Sequence, residues 1–456
     1  MNKTNYLGQK HTFTSLVSYA MPTIIMMIFT AIYTMVDGIF VSRFINTTAL
    51  SAINIFSPVY GLIWAIALMF GTGANAIIAR QLGQKKTLEA RKNFSLIIIT
   101  SLVFGVLLTI FGLLLLRPML SVLGADESEA LNEFTTIYGG IIISFIPLTF
   151  LQILFQNFFV TEGKPHFNLI ITIIGGVANI VLDYLFIVPF NMGIAGAALA
   201  TGIGMAIPAI IGVWYFFRSE RTSLKFVKPD LDWTFLIKTS VNGSSEMISN
   251  IAASVTIFAL NLLMLQYYGV DGVAAITVIN YILMLLTAIF MGYSAGIAPI
   301  ISYTYGDENH KQLQNTVKYS FGFILAVSLA TLLVTFLFDT QMISIMISPE
   351  TRAYAIAVEG FSLFRFGFVF MGFNIFSSML FTALSNGKIS GIISFLRTFG
   401  LVLIGFLVLP MIIQETGIWI TIPLAEFISI MISIYFIFRK NKVYNYLPSF
   451  KKNAKI

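Results

Sequence analysis

The sequence predicts an all-α membrane protein, with twelve transmembrane helices in two six-helix lobes related by a pseudo-twofold axis along the membrane normal. Three observations lead there. Of the 456 residues, 57% are hydrophobic and 10% charged, more apolar surface than a soluble core can absorb. Twelve stretches reach the roughly 20 charge-poor residues that cross a bilayer. The chain also repeats itself at a fixed spacing.

The first stretch, 15–42, is too long for a cleaved secretory leader and has no small-residue cleavage site after it. The second, 51–79, closes at Gly83 on a polar loop, and 94–116 and 134–160 follow. The fifth, 168–189, carries Gly175 and Gly176 beside two polar residues, and the sixth, 194–217, opens on a Gly/Ala run that permits close helix contact. The remaining six are 236–262, 275–303, 319–338, 356–382, 391–413 and 418–438. Gly163-Lys164 returns as Gly387-Lys388 and Gly193-Ile194 as Gly417-Ile418, both 224 residues on, while Gly83 returns as Gly306 after 223. Six is an even number, so both halves insert with the same polarity, an arrangement found in secondary transporters. The organisation is then a first lobe 1–217, a charge-mixed cytoplasmic linker 218–235, a second lobe 236–438 and a basic cytoplasmic tail 439–456.

Of the 27 Lys and Arg residues, 22 fall on the face that carries both termini, and only Arg43, Arg117 and Arg352 on the other. Both termini are therefore expected in the cytoplasm, with the chain in the inner (cytoplasmic) membrane. This bias explains the net charge of +7, which is read as topology and not as nucleic-acid binding; the basic tail suits anionic lipid. With no cysteine there is no disulfide framework or thiolate metal site. No G-x-x-x-x-G-K-[ST] loop and no nucleophile with a base and orienting acid is visible, and His11, His166 and His310 fall apart in loops, where solvation is the expected role. Neither an enzyme nor a cofactor is expected.

Function is sought at Asp37 and Asp183, two acids inside apolar spans of the first half. A carboxylate at that depth costs several kcal/mol, so it normally faces a bundle interior or water and marks an ion or substrate path. Asn179 and Asp183 are four apart and share a helix face. Thr30, Thr34 and Asp37 form a polar stripe on the first span, and the two stripes are expected to meet, with Thr201 of the sixth span beside them. Two carboxylates, an amide and a hydroxyl are hard oxygen donors, suited to sodium and equally to a proton held by a desolvated acid. The repeat maps Asp37, Asn179, Asp183 and Thr201 onto Leu260, Leu403, Leu407 and Ala425. The polar cluster thus belongs to one lobe, which argues against a mere packing role. Pro22 removes a hydrogen bond inside the first span and gives it a joint. In the second half, Glu246 lies with Asn242, Ser249 and Asn250, while Glu426 is expected to pair with Arg397 and Glu359 with Arg365.

Twelve spans in two such halves, Pro22 and Asp37 in the first helix, the Asn179-x-x-x-Asp183 pair and Thr201 together resemble the multidrug and toxic compound extrusion (MATE) transporters, and most closely the prokaryotic branch with its acids in the first lobe. The likeness covers residues 10 to 440. It implies a monomer that exports amphipathic, often cationic small molecules in exchange for protons or sodium. It further implies ion binding by Asp37, Asp183, Asn179 and Thr201, bending at Pro22, and a substrate cavity touched by Tyr138, Gln156, Glu246 and Met291. The family often has Asn where this chain has Gln156. Another branch adds an acid in its tenth helix, whereas 364–384 offers Arg365 and Asn374 but no acid. The alternative, a lipid-linked saccharide flippase of similar plan, would need a cationic cavity for pyrophosphate.

Overall fold

The computed structural model describes residues 6–218 and 222–448, so 219–221 of the expected linker and 449–456 of the basic tail lie outside the described residues. Among the described residues the fold is built from helices. The first half contains α1 (Phe13–Phe44), α2 (Thr47–Gly83), α3 (Thr87–Leu114), α4 (Leu116–Val122), α5 (Glu129–Ser144), α6 (Ile146–Thr161), α7 (Pro165–Ile187) and α8 (Gly193–Arg218). The second contains α9 (Trp233–Tyr268), α10 (Val270–Gly306), α11 (His310–Ser344), α12 (Arg352–Phe364), α13 (Gly367–Ala383), α14 (Gly387–Phe395), α15 (Leu401–Ile413) and α16 (Glu415–Tyr444). Side chains of Thr12, Asn46, Ser128, Asp232, Asn309, Thr351 and Asn386 cap α1, α2, α5, α9, α11, α12 and α14 by accepting from a backbone N–H inside the helix.

Ten helical stretches are long and apolar enough to cross a membrane, and two bent pairs bring the number to twelve. The spans expected over 134–160 and 356–382 are these bent pairs, each made of two helices and not one. The α5/α6 pair turns by 52° at Phe145 and the α12/α13 pair by 57° at Arg365 and Phe366. Pro147, in the first turn of α6, explains the first break because a proline cannot continue the hydrogen bonding of α5. At the second, Arg365 Nη1 donates to Asp339 Oδ2 of α11 at 3.0 Å, so Arg365 pairs with α11 and not with Glu359. Both bends fall in the fourth span of their half, in keeping with the repeat. Lys85 and Glu308, 223 residues apart, share left-handed backbone (φ 62° and 55°) at the ends of α2 and α10.

Two apolar cores form. One runs from Val41 to Leu236 and the other from Leu260 to Tyr446. The second also takes in Leu7, Leu16, Tyr19, Ala20 and Ile24, so the start of α1 packs against the opposite half. The segment ahead of α1 is tied there too: Tyr6 stacks on Tyr19 at 4.8 Å, Gly8 lies under the Tyr303 ring, and Gln312 Nε2 donates to the His11 carbonyl at 3.4 Å. His11 is buried, which corrects the expectation of a solvated loop histidine; burial lowers its pKa and keeps it neutral.

The halves meet backbone to backbone at the end that carries both termini. A Cβ on Gly73 of α2 would run into the Thr239 carbonyl and the Gly243 amide of α9, and one on Gly243 into Met69. A Cβ on Gly83 would strike the Tyr303 carbonyl, and one on Gly306 the Arg80 carbonyl. These last two contacts exchange under the 223-residue shift, since Gly83 maps to Gly306 and Arg80 to Tyr303. The seam is thus a local twofold. Arg80 also lies over the Tyr305 ring at 4.8 Å. Toward the other end the halves part: Gly61 has only Ser254 Oγ at 3.9 Å, and Asn54 and Ser57 of α2 and Ser254 of α9 are exposed. A cleft therefore opens away from the termini.

The linker docks on the same end. The amides of Ser223 and Leu224 donate to Glu162, at 3.0 and 2.5 Å, and Arg91 donates to the carbonyls of Ser223 and Thr222. Burial pushes Glu162 up to about 7, against the opposing pull of those two amides, Lys164 and Arg91. The docked carboxyl thus holds its proton more tightly than a free glutamate would. Burial in the fold as a whole therefore contributes stability that is present below the ordinary glutamate value of 4.5 and lost as pH rises through 7, whereas the two linker amides favour the charged form. Hydrogen exchange at the Leu224 amide should show less protection in Glu162→Ala than in the native chain; unchanged protection would refute the assignment. Separately, Gly243→Val should force the seam apart and make residues facing it reactive to water-soluble thiol reagents when replaced by cysteine. Gly391→Val, with open space around it, should leave them protected.

Candidate functional site

The site grows from glycine gaps in α7. Gly176 has no side chain, and the rings of Phe29 and Tyr33 from α1 occupy the space. Phe29, Tyr33 and Asp37 are four apart and line one face of α1, so seating the two rings on Gly176 brings Asp37 alongside the next turns of α7. There Asn179 and Asp183 project from the same face, 3% and 0% exposed. On the other side Gly175 abuts the Gly204 carbonyl and Pro208 of α8, and Gly204 meets Asn179 Cβ. This close packing lets Thr201, three residues before Gly204, join the cluster. Phe145, at the bend between α5 and α6, fills the place a side chain on Gly202 would take.

The carboxyl groups of Asp37 and Asp183 face each other within hydrogen-bonding reach. None of the ion pairs among the described residues involves either acid. Asp37 Oδ1, both Asp183 oxygens, Asn179 Oδ1 and Nδ2, and Thr201 Oγ1 are buried without a hydrogen-bond partner among the described residues. Two buried carboxylates side by side cannot both stay charged and bare: desolvation costs several kcal/mol per ion, and the like charges repel. A proton shared between them, or a bound monovalent cation, removes both penalties. The amide and hydroxyl oxygens supply further hard donors.

Tyr138 of α5 is buried within electrostatic range of both carboxyls, with its ring edge-on to Phe56 at 5.8 Å. Two tyrosines that the sequence reading did not single out lie within electrostatic range of Asp37. Tyr33 lies one turn before Asp37, and Tyr60 of α2 reaches the same charge while its hydroxyl points to Met205 Sδ at 4.0 Å. The four-residue spacing to Asp37 could have revealed Tyr33. Nothing local marks Tyr60, which tertiary packing brings in.

The other expected contacts do not meet the acids. Gln156 Nε2 donates to Thr172 Oγ1 at 3.3 Å, and Thr172 is eleven residues from Asp183, about 16 Å along α7. Glu246 is half-buried in α9, and Met291 is 41% exposed on α10 beside Gly292, which packs on Ile24. Pro22 is buried inside α1, which runs through it as one helix. The hydroxyls of Thr30 and Thr34 donate to the carbonyls of Met26 and Thr30, both at 2.9 Å, so that stripe is turned back on its own helix. The Glu426–Arg397 pair forms at 3.0 Å as expected.

Known proteins resemble this chain along most of its length. It is 24% identical to a multidrug export protein MepA of Staphylococcus saprophyticus over 80% of this chain and 82% of that one. It is 26% identical to the MepA of Staphylococcus haemolyticus over the same shares. Among solved structures, a MATE protein in complex with MaL6 superposes with a TM-score of 0.90 at 23% identity, covering 97% of this chain and 99% of that one. An outward-facing multidrug resistance MATE family transporter of the MOP superfamily gives the same TM-score, identity and coverage. The MatE family pattern matches residues 22–185 and 247–408, one block in each half. With that match over both halves, on a fold of two six-span lobes, the chain belongs to the MatE family of multidrug efflux transporters.

Proposed function

We propose that the chain is a cation-coupled antiporter of the inner membrane that exports amphipathic, often cationic compounds by alternating access. The reading rests above all on one observation: the buried carboxyl of Asp183 faces that of Asp37, half-buried with its Oδ1 enclosed, and neither has a cationic partner among the described residues. Such a pair must take up a proton or a sodium ion to lose its charge penalty, and it gives that ion up when water reaches it. Asn179 and Thr201 complete the ion site. Tyr138 borders the first-lobe cavity, Gln156 lies deeper along α7, and Glu246 and Met291 serve the substrate from the second lobe. Pro22 lets α1 respond to ion binding.

Both termini lie in the cytoplasm on this reading, since the basic residues concentrate there. The seam at Gly73, Gly83, Gly243 and Gly306 then seals the cytoplasmic side, and the cleft faces outward. Likeness to proteins named for multidrug export supports the cargo class. The flippase alternative loses ground because the two cations inside the spans, Arg365 and Arg397, are already paired with Asp339 and Glu426. Neither is free for a pyrophosphate.

One proton moving down about 150 mV supplies roughly 3.5 kcal/mol, but one-for-one exchange with a monovalent cationic drug is electrically silent. Such exchange runs on the pH or sodium difference alone. Ethidium efflux from energised vesicles should therefore follow an imposed gradient of one of these ions and identify it. Asp183→Asn should reduce gradient-driven efflux by at least about tenfold, and Asn179→Ala should raise the ion concentration needed by about tenfold. Unchanged efflux in Asp183→Asn with normal expression would remove the ion site from these residues.

A further inference from the structure

The second lobe has an oxygen cluster of its own, on other helices. Glu426 of α16 and Asn374 of α13 are buried, and Asn374 Nδ2 donates to Glu426 Oε2 at 2.7 Å and to the Glu426 carbonyl at 2.9 Å. Ser433 Oγ donates to Asn374 Oδ1 at 2.9 Å and fixes the amide. Ser429 follows Glu426 by three residues on the same face of α16; it is 1% exposed, and its Oγ has no partner among the described residues. Glu246 of α9 lies within electrostatic range of the same place. Two carboxylates, an amide and a hydroxyl are the donor types found around Asp37 and Asp183. The repeat does not relate the two sets, because Asp37 and Asp183 map to Leu260 and Leu407.

The difference between the lobes is Arg397. Its Nη1 donates to Glu426 Oε1 at 3.0 Å, with the two side chains 14% and 4% exposed. It stands on a π-helical turn, Leu396–Gly400, between α14 and α15, and Thr256 Oγ1 of α9 donates at 2.6 Å to the Thr398 carbonyl in that turn. Single π turns are uncommon and frequently mark functional positions. Here the turn carries the guanidinium to the oxygens of α9, α13 and α16.

We propose that Arg397 is a built-in counter-ion that permanently fills a monovalent-cation site in the second lobe. The coupling ion is thereby confined to the first lobe, a point that rests on the antiport reading above. Removing the charge at Arg397 leaves the buried Glu426 unneutralised, and it recruits a proton or sodium from solution. Retaining a positive charge there keeps the site closed.

Cation binding to the purified full-length chain tests this, with sodium followed by calorimetry and protons by uptake from weak buffer. Arg397→Gln should bind one cation more per chain than the native protein. Arg397→Lys should match the native number, and Arg397→Gln with Glu426→Gln should return to it. No added cation in a folded Arg397→Gln chain would overturn the proposal. If that variant does not fold, Glu426→Gln alone decides: an unchanged number supports the proposal, and a loss of one shows that the native second lobe already exchanges an ion. Asp183→Asn stands apart as the control on the antiport reading, since it should lower binding in the native and the Arg397→Gln chains alike.

Discussion

The molecule is organised around a repulsion. Asp37 and Asp183 meet in a place where Asp37 Oδ1 and both Asp183 oxygens find no donor among the described residues, and such a pair is costly unless something positive is shared between them. Much of the first lobe makes this encounter unavoidable. Gly176 admits Phe29 and Tyr33, Gly175 and Gly204 draw α8 onto α7, and Phe145 rests on Gly202. Side chains at those glycines would hold the helices apart and let each acid turn toward water. Close packing here does not bury the charge in spite of its cost; it sets up the cost.

The second half uses the same scaffold to the opposite electrostatic end. Its buried acid, Glu426, is held by Arg397 and Asn374, and the positions equivalent to Asp37 and Asp183 are leucines. One copy of the duplicated unit is neutralised from within, and the acids of the other have no cationic partner among the described residues. The halves then differ in chemistry while sharing a seam of near-perfect reciprocity, in which Gly83 meets Tyr303 as Gly306 meets Arg80.

Most of the architecture was legible in the sequence, because apolar runs and a 223–224 residue repeat are local or periodic signals. The meeting of the two acids was legible too: an acid in an oily span is conspicuous, and Asn179 with Asp183 shares a face by spacing alone. What escaped was whatever depends on contacts between distant segments. Pro147 is a visible cue for the bend at Phe145, but nothing local marks the bend at Arg365, and the pairing of that residue with Asp339 of α11 is a long-range contact that spacing cannot reveal. Thr30 and Thr34 looked like part of the site, yet each hydroxyl already had a backbone carbonyl one turn back. Tyr60 and the burial of His11 arise only when α2 and the N-terminal segment find their places.

That N-terminal segment has a kinetic consequence. Leu7 is wholly enclosed in the second core although the chain continues directly into α1. The start of α1 is therefore held by the second half, so on the proposed alternating-access reading a parting of the halves at this end either carries it along or pulls Leu7 from its socket. The second route exposes an apolar side chain to water and so carries an activation barrier.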